Sequence, residues 1–101
     1  MYYAQMLIDG FQWDDGNLAK CQKHGVSIAE IEALFSSGRL VEFPDPHPGE
    51  ARLRGIGRSS AGRHIFIVWT VRSEDDRHLI RPISARYMHF KEVEHYEQAQ
   101  R

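Results

Sequence analysis

The chain has one cysteine, four prolines and almost no net charge, and each of these shortages removes a class of explanation. A lone Cys21 forms no internal disulfide, so the fold must hold by packing alone. No apolar run is long enough to span a bilayer and no apolar leader opens the chain, so the expectation is a cytoplasmic protein. The formal charge of −1 is not that of a generic nucleic-acid binder, which announces itself by overall basicity. No glycine-rich phosphate loop is present either. Gly55-Ile56-Gly57 does not stand between a strand and a helix, as the dinucleotide fingerprint requires. Six histidines, at positions 24, 47, 64, 78, 89 and 95, show no paired ligand spacing, so no metal site and no cofactor are expected. Cys21 lies on an apolar stripe and reads as a small core residue.

What the chain does hold is arginine, unevenly placed. Residues 52 to 86 contain eight arginines, no lysine and three carboxylates, a net of +5 that leaves the remainder at −6. Such a split describes a basic sheet attached to acidic helices, able to attract phosphate locally. Choosing arginine over lysine favours geometry, because its planar donor fork matches phosphate oxygens.

At 101 residues the expectation is one domain spanning 1–101. Met6-Leu7-Ile8 and Phe11-Gln12-Trp13 suggest a short opening strand. Asp14 or Asp15 can cap a first helix that stops at Gly25. Ser27 and Glu30 form a capping box, and Ile28, Ile31, Leu34 and Phe35 share one face of the helix it starts, with Glu30 and Glu32 pointing away. Leu40 to Phe43 reads as a strand, followed by a proline loop in which Glu50 is a candidate proton acceptor. From Ala51 the pattern is β. Arg52, Arg54, Ile56 and Arg58 alternate with Leu53, Gly55 and Gly57, giving an arginine face and a bare face. Ser59 to Arg63 is a hairpin turn, and His64 to Val71 is a central strand. Arg72 to Arg77 reads as a second turn, and Leu79 to Ala85 as a strand with a free edge near Pro82. Phe90, Val93 and Tyr96 mark a last helix. The order β-α-α-β-β-β-β-α gives an α+β domain: an antiparallel sheet of about four to five strands, two N-terminal helices packed on it and a C-terminal helix.

Phosphate chemistry by arginine follows as the functional expectation. Cleaving RNA without a metal needs a base for the 2′-hydroxyl, a donor for the leaving 5′-oxygen and cations on the phosphorane. Arg58, Arg81 and Arg86 are the phosphate candidates. Strict alternation sets Arg81 and Arg86 on opposite faces, so they share a site only if the strand ends near Ser84. His89 and Tyr87 are the proton-transfer candidates. Arg52, Arg54, His64 and Trp69 are candidates for RNA binding, Trp69 as a stacking platform.

The motifs Phe11-Gln12-Trp13-Asp14, Lys23-His24-Gly25-Val26-Ser27, Ile56-Gly57-Arg58-Ser59 and Ile83-Ser84-Ala85-Arg86, with a terminal Tyr96-Glu97, resemble the BrnT family of bacterial toxins from about Phe11 to Gln98. The helix run Lys91-Glu92-Val93-Glu94 is less basic than that resemblance leads one to expect. The resemblance implies a RelE-like toxin of a type II toxin–antitoxin system, a ribonuclease that inhibits translation. It also implies a BrnA-type ribbon-helix-helix antitoxin as partner, with operator DNA bound only through the antitoxin complex. The alternative class is a non-catalytic RelE-like binding module acting as antitoxin partner or corepressor. A stand-alone RNA-binding protein is a third.

Overall fold

Two capped helices, two hairpins and a terminal helix account for most of the chain. The computed structural model describes residues 1–3, 6–43 and 51–100. The proline loop, with Glu50, lies outside the described residues. Two short strands, β1 (Tyr2–Tyr3) and β2 (Met6–Leu7), pair with each other, and β3 (Gly10–Phe11) leads into helix α1 (Asp15–Gln22). Asp14 caps α1 by accepting from the Gly16 N–H at 2.8 Å, and Gly25, at φ +90°, ends the segment in the left-handed region that glycine tolerates. Helix α2 (Ile28–Ser36) starts on the expected Ser27–Glu30 box.

Strands β4 (Val41–Phe43), β5 (Leu53–Arg58), β6 (His64–Glu74) and β7 (Arg77–Tyr87) precede helix α3 (Phe90–Ala99). The main sheet runs β3-β7-β6-β5-β4, antiparallel except for the β3–β7 pair, so the fold is α+β. The charged 72–77 segment is mostly strand rather than turn. Only Asp75 and Asp76 turn, at φ 48° and 64°, the positive values a two-residue hairpin needs to match strand twist.

Cross-strand partners share a face, which separates the two sides of the sheet. Ile65, Ile67 and Trp69 of β6, with Ile80 and Ala85 of β7, face α1 and α2, where Cys21, Val26, Ile31, Leu34 and Phe35 complete the buried core. Gly55 and Gly57 are the bare positions over which this layer closes, as their alternation with arginine requires. The other face carries Arg54, Ile56 and Arg58 beside His64, Phe66 and Val68, with α3 lying over part of it.

Two expectations about β7 change. The strand continues to Tyr87, and a register shift opposite Val68/Trp69 leaves Ile83 without a partner. That extra residue returns Arg86, paired with Phe66, to the same face as Arg81, paired with Thr70. The edge at Pro82 is also not free. Strand β3 covers β7 as far as Ile80, and beyond it Asn17 of α1 donates from Nδ2 to the Pro82 carbonyl at 2.8 Å, with Pro82 fully buried. Proline brings no N–H, and its one acceptor is taken.

Candidate functional site

The β5–β6 hairpin sets Arg58 directly opposite His64. Its turn is closed by the Ser59 N–H donating to the Arg63 carbonyl and the Gly62 N–H to that of Ser59, both at 2.9 Å. Arg58 is exposed, its Nη2 3.4 Å from the Gly62 carbonyl, while His64 is 9% exposed, so a solvent-facing cation stands next to a buried imidazole. Helix α3 supplies the opposite wall. Tyr96 meets the His64 ring at 5.9 Å and the Phe43 ring at 6.0 Å, both nearly edge-on, and a Glu97 carboxylate oxygen stands 3.9 Å from His64 Nε2. Arg58, His64, Tyr96, Glu97 and Gln100 line an open cleft of about 440 Å³. Tyr96 and Glu97 were not among the sequence candidates. Their only signals were the Phe90, Val93, Tyr96 spacing and the terminal motif, neither of which says which strand the helix overhangs.

The groove continues under α3 past Arg54, Phe66 and Arg86, and beyond Arg86 it opens between His24, Arg63, Tyr87 and His89. The structure therefore brings Arg86, Tyr87 and His89 together, but it commits two of them. Arg86 grips Glu92 with two bonds of 2.8 Å, and the Glu92 carboxylate also accepts the His89 backbone N–H at 2.9 Å. The guanidinium first, then that N–H, pull the Glu92 pKa down to about 2, while the carboxylate raises that of Arg86. The Tyr87 hydroxyl donates to both oxygens of Glu30, at 2.8 and 2.9 Å, which raises the phenol's pKa and makes it a poor proton donor to anything else. The Glu30 carboxylate accepts from the Ser27 backbone N–H and the Tyr87 hydroxyl instead of pointing away, and these bonds, the Ser27 N–H first, hold its pKa low. Arg63 covers the Tyr87 ring, its guanidinium carbon 3.5 Å from the centroid.

Arg81 stands apart from both clefts. It clasps Asp14 at 2.8 and 3.1 Å and donates to Gln12 Oε1 at 3.2 Å, locking the start of α1 to β7. The Asp14 pKa is lowered first by that bond. Trp69 is 0% exposed and packs edge-on against Phe35 at 5.1 Å, so it stacks on core rings and not on a base. Its place on the face opposite the arginines follows from its pairing with Pro82. Arg54 faces the groove and Arg52 lies half-buried just before β5. Cys21 is fully buried, and desolvation raises its thiol pKa, an inert core setting. Among the described residues no three metal-ligating side chains cluster, and no helix is long and apolar enough to cross a membrane.

Residues 13–92 match the family model described as the ribonuclease toxin BrnT of type II toxin–antitoxin systems. No curated protein matches the chain.

Proposed function

Because the chain belongs to the BrnT family of ribonuclease toxins of type II toxin–antitoxin systems, we propose that it is a metal-independent, RelE-like endoribonuclease whose groove under α3 cleaves RNA and thereby inhibits translation in the cytoplasm. The observation that carries this reading is the Arg58–His64 pair beneath Tyr96 and Glu97. His64 removes the 2′-hydroxyl proton. The 2′-oxygen then attacks phosphorus, and the bond to the 5′-oxygen breaks, leaving a 2′,3′-cyclic phosphate and a 5′-hydroxyl. The Tyr96 hydroxyl supplies the leaving oxygen's proton, and Glu97 orients the imidazole and steadies its cationic form. Arg58 and Arg86 neutralise the phosphorane, Arg86 with the donors that Glu92 leaves available. His89 and Arg54 bind flanking RNA.

A BrnA-type antitoxin is the proposed partner. Pro82 offers it no strand edge, so an acidic segment laid along the groove, covering Arg58, is the geometry that inhibits. Operator DNA would be bound through the antitoxin's ribbon-helix-helix part.

The second reading, a non-catalytic module serving as antitoxin partner or corepressor, draws on the carboxylates that hold Arg81 and Arg86. Incubating the purified chain with RNA separates the two. Cleavage should persist in EDTA, leave cyclic phosphate ends, stop on adding the antitoxin, and fall by about 10²–10⁴-fold in His64→Ala. Intact RNA alongside a stable antitoxin complex would establish the binding module. Cleavage restored only by a divalent ion would overturn the metal-free mechanism.

A further inference from the structure

Between Arg58 and Arg86 the groove changes character. Phe66 forms its floor, Phe43 and Tyr96 meet edge-on to make one aromatic corner, and the small Ala99 leaves room beneath α3, while Arg54 and Arg86 set the rim. The cleft measures about 490 Å³, within the range of small-ligand sites. We propose that this stretch is a nucleobase pocket, which makes the substrate single-stranded RNA with at least one base unstacked into the protein. The proposal rests on the ribonuclease reading and names the substrate class for that site.

Three observations support a base over an apolar side chain. Flat rings prefer aromatic walls whatever their sequence identity, as single-strand binding surfaces show. Acceptors on a base edge need donors at the rim. Arg86 has five N–H groups, of which Glu92 takes two, and its guanidinium lies over one face of the Phe66 ring, its carbon 5.1 Å from the centroid, so the cation closes that end of the cleft and turns its remaining donors toward a base held against Phe43 and Tyr96. Tyr96 is also shared with the Arg58–His64 cleft, so a base held here has its own phosphate next to the reacting groups. A duplex cannot be read this way, because its bases are paired and stacked and the roof of α3 admits only a flipped one.

The test uses the full chain and a trinucleotide carrying 2′-deoxyribose at the attacking position, with the base deleted from one nucleotide at a time. The intact trinucleotide should bind about tenfold more tightly than the one abasic analogue that empties the pocket. Ala99→Trp fills the cleft from an exposed helix position and should reduce that preference below about twofold. Phe43→Ala, which removes one wall, should act in the same direction and decides the matter if the first variant misfolds. Equal binding of all analogues by the unaltered chain, or a preference unchanged in both variants, overturns the pocket. So does loss of antitoxin binding in both variants with base preference intact, which would assign the cleft to a peptide. Cleavage without base preference rejects only the pocket; base preference without cleavage rejects only the nuclease.

Discussion

Arg58 and Arg81 have the same charge and face of the sheet, but their neighbours give them different work. Arg58 is exposed at the mouth of the groove, while Arg81 is spent on Asp14 and Gln12 at the start of α1. Arg58→Ala should therefore weaken RNA binding for every sequence and lower the salt slope by about one unit, with little change in melting temperature. Arg81→Ala should lower the melting temperature and leave the salt slope alone. Anisotropy titrations at several salt concentrations, paired with thermal melts, check both; a reduced slope in Arg81→Ala would return that residue to the RNA surface. The facing of Arg58 and His64 was legible in the sequence, because a short turn between alternating segments fixes the register. The partner of Arg81 was not. Asp14 is 67 positions away, and nothing local marks which carboxylate will meet which guanidinium. Trp69 shows the same limit from the other side: alternation alone does not say which face helices cover, and the residue expected as a stacking platform lies in the core.

Elements declared by local chemistry were readable, namely both N-terminal helices by their caps, the first also by its glycine stop, and β5 by its alternation. Elements set by long-range geometry were not. The shift at Ile83 has no sequence signature, and the acidic Asp75-Asp76 pair reads as a longer loop than the tight turn it makes. The bare face of β5 was legible as bare, though not as the seat of Trp69 and Leu34. At Gly55 an added methyl would stand 2.7 Å from the Val41 carbonyl oxygen and 3.2 Å from the Trp69 ring, all of it fixed structure. At Gly57 the obstacle is the end of the Leu34 side chain at 2.8 Å, which can rotate away. Gly55→Ala should thus cost about 1–3 kcal/mol, with Gly57→Ala closer to the lower bound. Denaturant unfolding of the two variants measures the difference, and equal losses would mean that β4 yields as easily as a leucine.

At the scale of the whole molecule, the basic sheet and the acidic helices meet where α3 crosses the groove. That helix buries none of its residues, so its position depends on a few contacts: Tyr96 against Phe43 and His64, and Glu92 in the grip of Arg86. The Glu92 pKa falls from the usual 4.5 to about 2 in the folded chain. A carboxylate depressed by folding adds stability that is fully present above its unfolded value and disappears as pH falls through the folded one. The contribution of Glu92 should therefore be lost between about pH 4.5 and pH 2. Its side chain is 37% exposed, and solvent screening keeps the amount to about 1 kcal/mol or less. Asp14 and Glu30 are depressed as well, so acid weakens several places at once and the raw curve identifies none of them. The difference between the parent chain and Glu92→Gln isolates this one. The variant should be slightly less stable at neutral pH and converge with the parent near pH 2, because protonation has by then removed the same charge. Thermal melts across that range, followed by helical circular dichroism, provide the comparison. Parallel curves with a constant offset would show that Glu92 acts by packing and that charge does not hold α3 over the groove.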